Sequence, residues 1–258
     1  NQLFKYLDLM DKIQVKQMDK NCFDKIHFGN EDKFYSLGQG YKKFISNLVK
    51  DFPNQKQEII KYCNKIREVC TEFPLYNLRD QNDYPISNEE VESVDEVIDS
   101  IITDNRLRNV LGSQNILYGG QKGITPFYIH ALIINSYIES SWRFVNGSSQ
   151  VAIFLAKSIR SFGGEVLKKS EVINANIINK RVSSVTLEDG TILEGNNIIS
   201  SLHPIQTIRI MGQENFKGLY KKRINKIQNS VSSFGVHISF KKNTFPYLNH
   251  NIYHFEDE

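Results

Sequence analysis

The sequence predicts an α/β fold in two lobes, and three observations carry that prediction. Residues 142–204 read in order as an amphipathic helix, a run of hairpin strands and a short apolar segment. The residues on either side interleave short strand-like runs with longer helical ones, the pattern of an α+β lobe. With 258 residues, 40% of them apolar and 24% charged, the chain can bury one large core or two smaller ones.

Composition narrows the function classes. A formal net charge of +3 is too small to argue for a nucleic-acid partner. Cys22, Cys63 and Cys70 form no C-x-x-C pair and are odd in number, so neither a zinc site nor a disulfide framework is expected. Reduced thiols in a cytoplasmic protein fit this usage, and no signal peptide is seen. The longest apolar region, 124–138, is interrupted by His130, Asn135 and Ser136, and is too short for a membrane span.

Taken in order, residues 3–10 suit a short amphipathic helix, and 12–18, 23–28 and 34–35 suit short strands. Gly38-Gln39-Gly40 lacks the third glycine of a phosphate-binding turn and reads as a turn opening a helix over 41–50, which Phe52-Pro53 stops. A second helix over 55–73 carries Ile59, Ile60, Cys63, Ile66 and Cys70 at helical spacing, so both cysteines are expected in the core. Residues 77–85 are the least periodic and suit a mobile loop or hinge. Ser87, with Glu90 three residues on, suits a capping box for a helix over 89–102. A further helical turn or two is expected over 106–112, and 117–123 is glycine-rich loop. Residues 126–142 form the most apolar helix, apolar nearly all round, which fits burial on several sides or the wall of a greasy cavity. Its aromatic and polar interruptions, His130, Tyr137 and Trp142, are joined by Tyr118 as candidate walls of an apolar ligand pocket.

In the segment 142–204, Gly147-Ser148-Ser149 can turn the chain and cap a helix. Val151, Phe154, Leu155, Ile159 and Phe162 give that helix one apolar stripe, and Gly163-Gly164 ends it. Strands follow over 171–178, 181–188 and 191–194, with Asn179-Lys180 at the first turn and Asp189-Gly190 as a two-residue hairpin signal at the second. Ile198-Ile199 suits a strand buried on both faces, breaking at Ser200-Ser201-Leu202-His203-Pro204. This order is how a nucleotide-binding sheet inserts a side hairpin and returns, and ligands of such sheets sit at carboxyl strand ends. After it come a short helix over 205–211, a helix over 217–229 with Lys221, Lys222, Arg223 and Lys226, and an alternating strand over 233–240. The basic face is a solvated one by default, and it leaves peripheral membrane contact open. His250 and His254 lie four apart in a strand-like run without the H-E-x-x-H glutamate, so no metal is expected.

The words NGSSQVAIFLAKSIRSFGGEV, LEDGTIL and IISSLHP, with LYGGQKGITPFYIHALIINSYIESSWRF before them, carry a resemblance. The chain resembles the flavoprotein family of phytoene desaturases, carotenoid isomerases and all-trans-retinol 13,14-reductases, most closely over 118–204. The resemblance implies an FAD-dependent reaction on a carbon–carbon double bond of a long apolar polyene. It implies an FAD/NAD(P)-binding Rossmann-like lobe, of which 142–204 is a part, and a substrate-binding lobe from 1–141 and 205–258. It puts the backbone of Val172 beside the adenine end of FAD, Ser200 and Ser201 near the cofactor, and Gly147 at the close turn before the helix. Asn146 stands where the family has the first glycine of a pair, which alters the local backbone path. The G-x-G-x-x-G segment and its acidic partner are absent, as is the family's C-terminal flavin segment. The expectation is therefore an internal portion of a longer enzyme, inactive by itself. The competing reading is a cofactor-free α+β module that binds a hydrophobic ligand or a protein partner.

Overall fold

The computed structural model describes residues 2–78 and 92–256. In chain order the helices are α1 (Gln2–Tyr6), α2 (Tyr41–Asp51), α3 (Lys56–Glu72), α4 (Val94–Ile101), α5 (Asn105–Gly112), α6 (Phe127–Glu139), α7 (Ser149–Ser161), α8 (Pro204–Met211) and α9 (Gly218–Lys226). The strands are β1 (Val15–Gln17), β2 (Asp24–Phe28), β3 (Tyr35–Leu37), β4 (Trp142–Phe144), β5 (Val172–Ile178), β6 (Arg181–Leu187), β7 (Ile192–Glu194) and β8 (Asn251–Phe255). The fold is mixed α and β, as expected. No helix among the described residues is long and apolar enough to cross a membrane. The chain divides into two units, one of residues 10–148 and 230–258, the other of residues 2–9 and 149–229. Residues 205–229 stand with 149–204 in the second unit, where α8 packs against β5.

The first unit is built on a three-stranded sheet in the order β3-β2-β8, with β2 antiparallel to β3 and parallel to β8. Alternation decides which way it faces. Asp24, Ile26 and Phe28 of β2 and Tyr35 and Leu37 of β3 point inward, while Lys25 and His27 stand on the other face. The inward face joins one apolar core with Phe44 and Leu48 of α2, Ile59, Tyr62, Cys63 and Ile66 of α3, and Ile134 and Ile138 of α6. In α3 the buried positions 59, 62, 63, 66 and 70 recur at helical spacing, so Cys63 and Cys70 are core residues. Burial pushes their thiols up to about 12 and about 11, and they stay protonated. Gly40 sits at a φ of 79° where the chain enters α2, and its N–H donates to the Ile138 carbonyl at 2.6 Å.

Helix α4 begins at Val94, later than the sequence suggested. Its capping box is Ser93 with Glu96; the Ser87 box and most of the 77–85 loop lie outside the described residues. The Glu96 carboxylate accepts from the Ser93 N–H at 2.8 Å, and Ser93 Oγ accepts from the Glu96 N–H at 3.4 Å. Ser93→Ala is expected to lower unfolding free energy by about 1 kcal/mol, read as a shift in the urea midpoint. Helix α6 stops at Glu139, and Trp142 lies on β4, paired with Gln17 of β1, rather than on the helix. Its buried positions, 127, 130, 131, 134, 135 and 138, form one stripe flanked by half-buried residues, so the helix packs as core on one side only. The alternating run 233–240 is not a strand. Phe234, Val236, Ile238 and Phe240 are all exposed, and among the described residues no strand pairs with this run.

In the second unit β5, β6 and β7 form an antiparallel meander. The turn chemistry reverses the expected weighting. Asn179 and Lys180 both take left-handed backbone, φ 50° and 64°, and make the two-residue hairpin. The Asp189-Gly190 turn is instead a three-residue loop over 188–190. The Gly190 N–H, at φ 86°, donates to the Leu187 carbonyl at 2.9 Å, and the Leu187 N–H donates to the Thr191 carbonyl at 2.8 Å. Gly163 ends α7 in left-handed backbone as expected. None of the residues of α7 is fully buried, and Ile159 and Phe162 of its apolar stripe are exposed. Ile198-Ile199 is not a buried strand: Ile199 is 95% exposed.

Candidate functional site

The second unit holds a cavity of about 650 Å³ between the meander and α8. Val172, Ala175, Val182 and Val185 of β5 and β6 form one wall, and Ile210 and Met211 of α8 another. Ser200, Ser201 and Leu202, just before α8, complete it. The locations follow from local chemistry. β5 presents alternate side chains to each face, and residues 172 and 175 reach the same side across a register shift between Val172 and Asn174. Pro204 starts α8 and His203 caps it, its Nδ1 accepting from the Ile205 N–H at 3.3 Å, which leaves 200–202 as a tight polar lead-in. Ser200 Oγ accepts from the Leu202 N–H and lies 3.0 Å from Thr207 Oγ1. The structure therefore brings Val172, Ser200 and Ser201 to one apolar cavity edged by hydroxyls. Gly147, at φ 90°, is not among the lining residues.

In the first unit the structure joins two of the four pocket candidates. His130 is completely buried, with Tyr62 Oη at 2.6 Å from Nε2 and Tyr118 Oη at 2.8 Å from Nδ1. The Tyr118 hydroxyl donates to the Asn115 side-chain oxygen. It then accepts from Nδ1–H, so Nε2 is the acceptor for the Tyr62 hydroxyl. Burial holds the His130 pKa down to about 3, and the ring is neutral. Both ring nitrogens are used within the protein. Tyr137 stacks on Phe23 at 6.3 Å, and Trp142, 45% exposed, donates from Nε1 to Ser140 Oγ at 2.5 Å.

A second polar cluster in this unit was not among the sequence candidates. Asp24 is fully buried on β2, accepting from Gln114 Nε2 at 2.6 Å and Asn251 Nδ2 at 2.9 Å. Arg143 of β4 donates to the Asn251 side-chain oxygen at 3.2 Å and the Leu248 carbonyl at 3.1 Å. Burial outweighs those hydrogen bonds and pushes the Asp24 carboxyl up to about 6. The available signal was an acid in phase with Ile26 and Phe28 on an alternating strand, a position that must point inward.

No family model matches the chain. It is 24% identical to the all-trans-retinol 13,14-reductase of Danio rerio over 72% of this chain and 33% of that protein. It is 26% identical to the human protein of that name over 64% of this chain and 30% of the relative. It is 23% identical to the Rattus norvegicus one over 90% and 43%. The chain thus spans between 30% and 43% of the length of these relatives. Among solved structures, an oxidoreductase from Methanosarcina mazei aligns with a TM-score of 0.60 at 16% identity, over 87% of this chain and 50% of that one. A protein from Pyrococcus furiosus aligns at 0.54 and 19%, over 88% and 49%. In sequence the chain is similar to all-trans-retinol 13,14-reductases, as its words between Tyr118 and Pro204 suggested, and in fold to an oxidoreductase.

Proposed function

We propose that this chain is part of an FAD-dependent oxidoreductase that acts on a carbon–carbon double bond of a long apolar polyene. The observation that carries the reading is the convergence of Val172, Ser200 and Ser201 on one cavity of the second unit. Sequence similarity to retinol reductases supports the polyene, whose direction of reaction follows the relatives' name: saturation.

The residues present fit one portion of an FAD molecule. Valine, isoleucine and methionine side chains offer flat apolar contact to an adenine ring, and the Ser200 and Ser201 hydroxyls offer polar edges. When bound, the flavin supplies the hydride chemistry. This chain's residues bind one end of it and exclude water; the pyrophosphate cradle is not among them. In the first unit, Tyr118 and Tyr137 contribute apolar ring surface on the substrate side, and buried His130 fixes Tyr118. Exposed apolar residues favour a portion of a larger fold over a self-contained module: Ile199 is 95% and Phe234 94% exposed.

The test uses the full-length protein. Ala175→Trp fills the cavity from β5 and is expected to lower flavin content per folded protein by at least about tenfold, read by visible absorbance after gel filtration. Unchanged flavin content in a folded variant removes this cavity from the cofactor site. A full-length protein that purifies without flavin and cannot be reconstituted overturns the reading as a whole.

A further inference from the structure

The outward face of β2 and β8 carries a histidine pair that the proposed reaction does not use. His27 and His254 are directly opposite across the parallel ladder, so their side chains leave the sheet side by side. Their rings lie 4.9 Å apart, and the two Nδ1 atoms face each other at 2.7 Å. The His27 Nε2–H donates to the Glu31 carbonyl, which leaves Nδ1 of the neutral ring as the acceptor that faces His254. Donation of the remote ring N–H to a carbonyl is the usual support of a metal-ligating histidine. Phe34 packs on the His27 ring at 4.6 Å and holds its plane.

We propose that His27 and His254 form a two-histidine chelate for a borderline transition-metal cation, Cu²⁺ before Ni²⁺ and Zn²⁺. In the metal-free pair, His254 Nδ1–H donates to His27 Nδ1. On binding, that proton leaves or moves to His254 Nε2, and two Nδ1 lone pairs point at one cation. Two metal–nitrogen bonds of about 2.0 Å at a right angle place the nitrogens about 2.8 Å apart, and a tetrahedral angle places them about 3.3 Å apart. The observed 2.7 Å is nearer the first, the tetragonal geometry of Cu²⁺ and Ni²⁺. Among the described residues no group of three His, Cys, Asp or Glu converges, so water completes the coordination. Lys25 shares this face two residues from His27; its ammonium lies 5.9 Å from the Phe34 ring centre, and it opposes the cation.

The experiment titrates the full-length protein with CuCl₂ and then NiCl₂, following heat and the copper paramagnetic spectrum. The native chain is expected to bind one Cu²⁺ with two nitrogen ligands in the hyperfine pattern. His27→Ala and His254→Ala, checked for native circular dichroism, are each expected to weaken binding by at least about tenfold, while His250→Ala leaves it unchanged. Single variants that bind as tightly as the native chain overturn the proposal. So does a native chain that binds no better than the double variant, which reduces the pair to two rings sharing a proton.

Discussion

His130→Ala is expected to lower the unfolding free energy of this chain by about 3–5 kcal/mol, a large share of a typical domain's margin. Two effects add. The imidazole is completely enclosed among Tyr62, Tyr118 and Phe127, so its loss leaves a hole in a core that cannot close fully. The Tyr62 hydroxyl, equally buried, then has no acceptor, and an orphaned buried donor alone is worth about 1–3 kcal/mol. The asymmetry of that second effect is the sharper test. Tyr62→Phe and His130→Leu should each be damaging, yet the double variant should be less so than their sum by about 1 kcal/mol or more, because neither polar group is left without the other. Strict additivity in urea unfolding would show that the 2.6 Å contact carries no coupling.

Much of this fold was legible in the residues because local pattern and tertiary burial agree there. The stripe of α3 and the alternation of β2 point the same side chains inward that the structure buries, and Gly40 and Gly163 stand where backbone had to turn left-handed. The failures have a common physical origin. Ile198-Ile199 and 233–240 carry strand-like pattern, but a strand needs a neighbour to take its N–H and C=O groups. Pattern states what a segment would do beside a partner and is silent on whether the partner exists. Trp142 was misplaced on a helix because Ser140 and Ser141 end α6 without glycine or proline to mark the stop, and aromatic residues resume directly after them. At the candidate site, Val172 was nominated through family likeness alone, whereas Ser200 and Ser201 also stood at the expected carboxyl end of a strand. Asp24 was missed because its hydrogen-bond partners Gln114 and Asn251 lie 90 and 227 residues away in the sequence.

Asp24 and His130 should bend the stability profile in opposite directions, so that removing one exposes the other. The Asp24 pKa is raised on folding, to about 6, from an unfolded value of about 3.9. Between those values the folded chain holds a proton that the unfolded chain has released, so its contribution is full below the lower value and is lost as pH rises through the higher one. His130 is depressed on folding, to about 3, from about 6.5. There the unfolded chain holds the extra proton, and stability is lost as pH falls. Each slope is one proton, about 1.36 kcal/mol per pH unit, and between about pH 4 and pH 6 the two cancel. Asp24→Asn leaves Gln114 free to turn its carbonyl toward the new amide, while Asn251 is fixed by Arg143. The difference in unfolding free energy between that variant and the native chain should therefore climb by about 3 kcal/mol from about pH 4 to pH 7. A constant offset across that range would mean that Asp24 titrates alike in both states and that its burial is relieved by solvent reaching the carboxylate.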